Sequence, residues 1–240
     1  MRTMFRNEHQ FTGQVVTSLR TAGFEVRREV RVRGRHRLDI LAKKDGVRNG
    51  VEVKFNSRGL LDDLYKARAI LRLPDVDEMY VCGPKMFMSD DVRALATSLG
   101  VGLLAIDDAG ELDWLVKSKR LEPPRLILNG AYVKPRGKQR FDEVRPGGKV
   151  VFNAAVFNNG QKTAVNVEVF MVAAGPFVAK ARSKARVKKA FLERSGPTAW
   201  STKLECHVKA GTPPGKYPLM ISVTADNAAR DDDTVPYEVR

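Results

Sequence analysis

The chain has 240 residues, of which 43% are hydrophobic and 29% charged, a composition typical of a globular protein and not of a disordered one. Its 42 Lys and Arg residues against 28 Asp and Glu residues give a net charge of +14, which favours a polyanionic partner such as nucleic acid. No apolar run reaches the roughly 20 residues of a membrane span, and the amino terminus lacks a signal-peptide core. We therefore expect a cytoplasmic protein with no membrane partner.

The first predicted element is an amphipathic helix over residues 7–21. Its apolar residues recur every four positions and so share one face: Phe11, Val15 and Leu19. Glu8 lies three residues before the first of them and is expected to project from the same stripe toward the core. Residues 24–32 alternate between apolar and polar and predict a strand.

Two short strands follow, over residues 38–42 and 51–55, joined by a turn rich in Gly, Asp and Asn. Side chains alternate between the faces of a strand, so Asp39 and the pair Glu52 and Lys54 face away from the apolar residues. Acids in the middle of short apolar strands break local preference, and such breaks tend to mark functional sites. We predict that the three charged residues meet on one face of this hairpin.

Four more elements are predicted in the amino-terminal half, alternately helix and strand: residues 59–71, 77–83, 89–99 and 101–106. The order of helix, three strands, helix, strand, helix and strand predicts a mixed sheet with helices on its faces. A charged segment that ends in two prolines follows at residues 117–124 and marks a domain boundary. The first predicted domain is residues 1–120.

The second predicted domain, residues 125–240, has the pattern of an all-β protein. Seven strand regions are predicted: residues 125–133, 149–157, 164–172, 178–193, 198–209, 216–224 and 235–239. Asn158-Asn159-Gly160 predicts a hairpin between the second and third of them. Strands at this spacing favour a sandwich of two antiparallel sheets. Cys82 and Cys206 match no metal-ligand spacing, so we expect both to be reduced core residues.

Phosphodiester hydrolysis gives the predicted charge cluster a chemical purpose. A partly buried carboxylate is tolerable when it binds a cation, and Mg²⁺ prefers carboxylate oxygens and water. Metal ions can bind the scissile phosphate and activate water, while a lysine adds positive charge in the transition state. The structural alternative is an exposed ion pair of Glu52 and Lys54, worth less than about 1 kcal/mol. Asp39 and Glu8 together favour the metal site.

The motifs stand in the order Glu8 in the first helix, Gly23-Phe24 opening a strand, Leu38-Asp39-Ile40, and Glu52-Val53-Lys54. This order resembles the PD-(D/E)XK nuclease superfamily, above all its archaeal Holliday-junction resolvase and Mrr-like branches. Leu38 stands where the name-giving motif has proline. The resemblance extends over about residues 5–107 and implies a restriction-endonuclease-like α/β fold.

The resemblance also implies a function, that of a Mg²⁺-dependent DNA endonuclease acting on DNA structure or with weak sequence preference. Asp39, Glu52 and the backbone carbonyl of Val53 would ligate Mg²⁺, for which Mn²⁺ can substitute. Lys54 would orient water or stabilise the transition state, and Glu8 would support the metal site from the helix. A junction resolvase cuts paired strands as a two-fold dimer, so a homodimer is a further expectation.

Basic and polar side chains in three segments are candidates for DNA binding. They are Arg33, Arg35, His36 and Arg37; Asn56, Ser57 and Arg58; and Lys180, Arg182, Lys184, Arg186 and Lys188, which alternate with small residues along a predicted strand. Phosphate contacts of this kind bind DNA with little sequence choice and strong salt dependence. A solvated basic face, a charged edge strand or a mobile loop are the alternatives.

Residues 147–170 and the segment Pro214-Gly215-Lys216-Tyr217 resemble CARDB-type immunoglobulin-like modules, over about residues 125–240. Such modules bind or space other domains, so the sandwich is expected to contact substrate or a protein partner. Two alternatives to the nuclease stay open. One is a non-catalytic nucleic-acid-binding protein that uses the nuclease fold as a scaffold, and the other is an interaction protein dominated by the immunoglobulin-like module.

Overall fold

The structure is a computed structural model that describes residues 5, 7–33, 36–133, 143–172, 175, 177–179, 186–195 and 199–240. The chain divides into two compact units, Met1–Leu121 and Glu122–Arg240. Within the described ranges, none of the helices has the length and apolar character that crossing a membrane requires.

The first unit contains one sheet with helices on both faces. Its elements are α1 Glu8–Thr21, β1 Glu25–Arg31, β2 Arg37–Lys44, β3 Val47–Val53, α2 Leu60–Leu71, β4 Glu78–Pro84, α3 Asp90–Leu99, β5 Gly102–Ile106 and β6 Leu112–Val116. The strands pair in chain order from β1 to β6. The pairs β3–β4 and β4–β5 are parallel and the outer pairs are antiparallel. The predicted mixed sheet is confirmed, and β6 is a strand that the sequence pattern did not indicate.

The two faces of this sheet are covered by different helices. On one face, the predicted stripe of α1 is buried against apolar residues of β2 to β5, including Ile40, Val51 and Val53. On the other face, α2 and α3 pack on residues such as Val81 and Leu103. Successive residues of β3 point to opposite faces, so a residue between Val51 and Val53 must lie under α2.

The hairpin of β2 and β3 is tighter than the sequence pattern predicted. Asp45 and Gly46 have positive φ angles of 49° and 78°, as the two central residues of a tight two-residue hairpin turn require. β3 begins directly after them at Val47. The predicted strand start at residue 51 is therefore wrong, because this turn closes the hairpin alone. Since β3 ends at Val53, Lys54 lies just beyond the strand.

The second unit is a β-sandwich, as predicted. Its strands are β7 Leu126–Val133, β8 Glu143–Val144, β9 Lys149–Asn158, β10 Ala164–Val172, β11 Phe177–Ala179, β12 Arg186–Leu192, β13 Trp200–Val208, β14 Gly215–Ala225 and β15 Ala228–Val239. One sheet has the order β12-β10-β14-β15-β8 and the other β11-β13-β9-β7. Residues of both sheets, such as Phe152, Val169, Leu204 and Ile221, form one core. Both cysteines are free and buried, as expected from the sequence.

The predicted hairpin between β9 and β10 is wrong, because these strands lie in different sheets. Asn158, at the end of β9, is fully buried, and its amide nitrogen donates to the carbonyl oxygens of Lys162 and Leu192 at 2.8 and 3.0 Å. Its amide oxygen accepts from the backbone N–H groups of Arg125 and Gly160. The residues that suggested a tight turn therefore build a hydrogen-bonded corner between the sheets.

Candidate active site

The carboxylates of Asp39 and Glu52 lie on the face of the first sheet that α2 covers. The antiparallel register pairs Ile40 with Val51, so the next positions, Asp39 and Glu52, face each other across β2 and β3. The backbone N–H of Val53 donates a hydrogen bond of 2.8 Å to Asp39 Oδ2. The structure therefore brings together the two acids that the sequence singled out.

Glu52 is the most unusual of these side chains, because it is a carboxylate with only 2% of its surface exposed. Its Oε2 accepts a hydrogen bond of 2.9 Å from Lys66 Nζ, while Oε1 is buried and has no hydrogen-bond partner among the described residues. Burial raises the pKa of Glu52, and the neighbouring charges of Asp39 and Asp63 raise it further, against the opposing effect of Lys66. The ionised form of Glu52 therefore carries a free-energy penalty in the folded protein.

Lys54 lies at the exit of β3 and is fixed there by its backbone, whose N–H donates to the carbonyl of Cys82 on β4 at 2.8 Å. Its Nζ lies 3.2 Å from Asp63 Oδ2, and its side chain is 31% exposed. Burial alone would lower the pKa of Lys54, but the carboxylates of Asp63, Asp39 and Glu52 raise it above the ordinary 10.5. The ammonium is therefore charged at neutral pH and can be reached from solvent.

Two residues of this cluster, Asp63 and Lys66, were not predicted from the sequence. Both belong to α2, which packs beside the end of β3 and pairs Asp63 with Lys54 and Lys66 with Glu52. One signal for Asp63 was present, because it interrupts the apolar stripe of α2. The stripe consists of Leu60, Leu64, Ala67, Ile70 and Leu71. In the structure, Asp63 is only 9% exposed. In the sequence, an acid within an apolar stripe is recognisable as a break in the amphipathic pattern.

Glu8 does not occupy the position expected from the sequence. It is exposed, because it is the first residue of α1 after the N-cap Asn7, and the buried face of the helix begins only at Phe11. Its described hydrogen bond is local, from Thr12 Oγ1 to the Glu8 carbonyl at 2.8 Å. The prediction that Glu8 points toward the core is therefore wrong, and α1 packs on the sheet face opposite Glu52.

The cluster fits a divalent cation with few protein ligands. Among the described residues, no three Asp, Glu, His or Cys side chains converge in the manner of a full metal site. Asp39, Glu52 and the Val53 carbonyl remain as the groups that could hold an ion, and Mg²⁺ commonly uses one or two carboxylates with water. The unpartnered, buried Oε1 of Glu52 supports this fit, because a cation would satisfy it.

The candidate DNA-binding residues near this cluster differ in their solvent exposure and in whether they already form ion pairs. Asn56, Ser57 and Arg58 are exposed in the connection from β3 to α2, with Phe55 between them and Lys54. Arg37 is held by Glu29, with 2.6 Å between Nη2 and Oε2. For the remaining candidates here, Arg33 is exposed and forms an ion pair with Asp75, His36 is partly buried, and Arg35 lies outside the described residues.

The predicted row of cations in the second unit is described only in part, since Lys180, Arg182 and Lys184 lie outside the described residues. Arg186 and Lys188 lie on β12, an edge strand of its sheet. Both contact Glu168 Oε1 of the neighbouring strand, at 3.4 and 4.0 Å. Their charge is therefore partly offset within the sheet.

The sequence matches no protein-family profile and no curated protein. Among solved structures, a protein of unknown function from Silicibacter pomeroyi is 20% identical, with a TM-score of 0.37 and coverage of 48% of this chain and 73% of that one. The CARDB domain of a Pyrococcus furiosus protein in complex with di-metal ions is 14% identical, with a TM-score of 0.32 and coverage of 50% and 97%. A sporulation control protein from Bacillus subtilis is 11% identical, with a TM-score of 0.29 and coverage of 49% of each chain. Similarities this low assign no function.

Proposed function

We propose that this protein is a Mg²⁺-dependent DNA endonuclease, acting on DNA structure or with little sequence preference. The observation that carries the proposal is the carboxylate of Glu52. It is buried, its Oε1 has no partner in the described part of the chain, and it lies beside Asp39 and Lys54. An unpartnered buried carboxylate oxygen carries a desolvation penalty for the fold, whereas metal-assisted hydrolysis uses an acid of this kind to hold the ion.

Each residue of the cluster has a role in this proposal. Asp39, Glu52 and the Val53 carbonyl would hold Mg²⁺, which, when bound, supplies an activated water and offsets charge on the scissile phosphate. The hydrogen bond from the Val53 N–H fixes the Asp39 carboxylate beside the end of β3. Lys54 keeps its proton at neutral pH and, on leaving Asp63, places a positive charge on the phosphate.

Lys66 has a role when no metal is present. Its ammonium lies 2.9 Å from Glu52 Oε2 and keeps a cation next to the buried carboxylate. Because the Lys66 side chain is 43% exposed, its ammonium can move into solvent when a metal ion takes over the compensation of the buried Glu52 carboxylate. Lys66 therefore competes with the metal for one oxygen of Glu52 and leaves the other oxygen available.

The order of elements supports the same proposal. The acids lie on adjacent strands of a mixed sheet, with Lys54 one residue past the end of β3, and this arrangement agrees with the motif order that resembles the PD-(D/E)XK nucleases. The exposed residues Asn56 to Arg58 follow two to four positions after Lys54, where a DNA backbone would approach the cluster.

One observation favours a second candidate, a non-catalytic DNA-binding protein that uses this fold as a scaffold. Both central residues already have partners on α2, since Glu52 pairs with Lys66 and Lys54 pairs with Asp63. If these ion pairs were permanent, the cluster would be a structural link between β3 and α2.

Cleavage assays decide between the two candidates. The unsubstituted full chain and its Asp39→Ala and Lys54→Ala variants are each incubated with linear duplex, single-stranded and four-way junction DNA in the presence of Mg²⁺, Mn²⁺ or a chelator. Asp62→Ala is the matched control, because Asp62 is an exposed acid in the first turn of α2. We expect cleavage by the full chain and the control in either metal, and none by the two site variants or with chelator.

If the full chain and all of its variants bind DNA and none of them cleaves it, the scaffold function is established. Metal-independent cleavage, or equal rates for the full chain and Asp39→Ala, would contradict the proposed mechanism.

A further inference from the structure

A cavity of about 450 Å³ opens at the opposite end of the first sheet from the Asp39 and Glu52 cluster. It is lined by residues at the starts of β3 and β4, including Asn49 and Glu78, and by Trp114 of β6. The charge cluster, by contrast, lies where β3 ends. The cavity is within the size range of small-molecule sites, and the proposed nuclease chemistry does not use it.

One wall of the cavity is a group of three fixed aromatic rings. The ring of Trp114 stacks on Phe24 with centroids 5.9 Å apart and an angle of 23° between planes. The buried ring of Tyr80 contacts Trp114 edge-on at 5.0 Å. Trp114 nevertheless remains 44% exposed, which is high for so large an apolar side chain. A rigid indole with a free surface is suited to stacking on a flat heterocycle.

The floor of the cavity carries a buried carboxamide, that of Asn49. Asn49 is 4% exposed although it lies within β3, and its described hydrogen bond is a long one, 3.4 Å from Nδ2 to the Val47 carbonyl. A carboxamide offers a donor and an acceptor side by side, the pair that the edge of a nucleobase requires.

The other buried polar residue of the cavity is already satisfied. Glu78 accepts hydrogen bonds from Tyr80 Oη at 2.7 Å and from Arg120 Nε at 2.8 Å. These bonds hold Arg120 at the rim through one nitrogen, while its side chain is 62% exposed. Lys117, also on the rim, is exposed and has no ion pair within the described ranges. Two cations at the rim are placed to contact a phosphate.

We propose that this cavity binds a nucleotide, with the base stacked on Trp114 and bonded to Asn49, and the phosphate contacted by Lys117 and Arg120. The aromatic wall provides a stacking surface for the base, the Asn49 amide provides hydrogen bonds to the edge of the base, and the cations at the rim provide contacts for the negatively charged phosphate. A free mononucleotide and a nucleotide within a single strand share this chemistry. The site is separate from the nuclease cluster and does not depend on cleavage.

Tryptophan fluorescence tests the proposal on the full chain. The protein has two tryptophans, so Trp200→Phe leaves Trp114 as the reporter. This protein is titrated with adenosine 5′-monophosphate, guanosine 5′-monophosphate, a short single-stranded oligonucleotide, and ribose 5-phosphate as a probe without a base. We expect saturable quenching by at least one base-containing probe and none by ribose 5-phosphate.

Charge reversal at the rim supplies the control. Lys117→Glu is expected to weaken nucleotide binding about tenfold, because a phosphate contact becomes a repulsion. Lys119→Glu makes the same charge change two residues away on a side chain that does not line the cavity, and should bind as the parent does. Both residues are exposed, so neither change should alter the fold.

The outcomes separate the two ligand sources and the failure of the proposal. Equal affinity for mononucleotide and oligonucleotide identifies a free nucleotide as the ligand, and a tenfold preference for the oligonucleotide identifies a strand. Absence of quenching by every base-containing probe, or equal quenching of Lys117→Glu and its parent, would overturn the proposal. Neither result bears on cleavage, which the fluorescence of Trp114 does not measure.

Discussion

The first unit buries two glutamates on neighbouring strands, and the difference between them separates structure from proposed function. Glu78, at the start of β4, is 6% exposed, and Tyr80 and Arg120 each donate to one of its oxygens. Glu52, near the end of β3, is 2% exposed, yet only Oε2 has a described partner. Similar burial thus accompanies complete hydrogen bonding at one site and incomplete hydrogen bonding at the other.

This contrast indicates which carboxylate the fold itself explains. A buried acid with both oxygens bonded stabilises its surroundings, whereas an unpartnered oxygen carries a desolvation penalty. Glu78 joins β4 to the segment after β6 and needs no ligand. Glu52 is a position where we expect a ligand to compensate for what the fold leaves unsatisfied.

The largest expected effect is on cleavage. Glu52→Gln should lower the metal-dependent cleavage rate by roughly a hundredfold to a thousandfold, because the neutral amide is a poor metal ligand. Glu78→Gln preserves every group of the cluster and should change the rate by less than about threefold. Initial rates under saturating DNA measure both, and an equal loss in the two variants would remove the distinction.

Stability should respond in the opposite order. Glu78→Gln should lower the free energy of unfolding by about 1–3 kcal/mol, because it replaces the charged acceptor that Arg120 and Tyr80 contact. Glu52→Gln should be as stable as the parent or more stable at pH 7. Urea denaturation of the Trp200→Phe protein, followed by Trp114 fluorescence, reports on the first unit. A Glu52→Gln variant that lost more stability than Glu78→Gln would make Glu52 structural.

The pH dependence of stability sharpens the same contrast. Burial raises the pKa of Glu52 above the ordinary 4.5, so the folded protein binds a proton more readily than the unfolded chain does. The contribution of Glu52 to stability is therefore lost as pH rises from about 4.5 through its raised folded-state pKa. We expect the stability advantage of Glu52→Gln to be absent below pH 4 and to grow toward neutral pH. A constant difference across this range would contradict that sign.

A smaller effect is expected from the competing lysine. Lys66→Gln should strengthen Mn²⁺ binding about threefold to tenfold, because the metal no longer displaces an ammonium from Glu52. Lys43→Gln, on the exposed end of β2, is the matched control and should bind Mn²⁺ as the parent does. Calorimetric titration measures both. Weaker binding by Lys66→Gln would mean that Lys66 organises the site instead of competing for it.

The smallest expected effects concern DNA affinity. Arg58 is exposed and has no ion pair within the described residues, so Arg58→Ala should weaken binding severalfold and reduce the salt slope by about 1. Arg37→Ala should change both less, because Glu29 already offsets that charge. Neutralising Arg186 and Lys188 together should change the slope less than Arg58→Ala does. Fluorescence anisotropy at several salt concentrations ranks the three.

The sequence predicted what depends on local periodicity. Alternation along β2 and β3 placed Asp39 and Glu52 on one face, and the spacing of Phe11 and Leu19 predicted the buried side of α1. Such patterns reflect the repeat of a single element, so they need no knowledge of its neighbours.

What the sequence could not give depends on contacts between distant elements. Whether α2 would bring Lys66 to Glu52 follows from how the helix packs on the sheet, which periodicity does not specify. The prediction for Glu8 was wrong for a related reason. The apolar stripe of a helix indicates which face is buried, but not at which residue along the helix burial begins. The corner at Asn158 shows the same limit, because turn residues also suit a crossing between sheets.

Metal binding in the absence of DNA tests the central claim most directly. Calorimetric titration of Mn²⁺ into the full chain should show one saturable site, weakened at least tenfold in Glu52→Gln and unchanged in Glu78→Gln. This result would establish that the unsatisfied carboxylate of Glu52 binds a cation. Equal Mn²⁺ affinity in the full chain and Glu52→Gln, or no binding by the full chain at millimolar Mn²⁺, would contradict the proposed metal site.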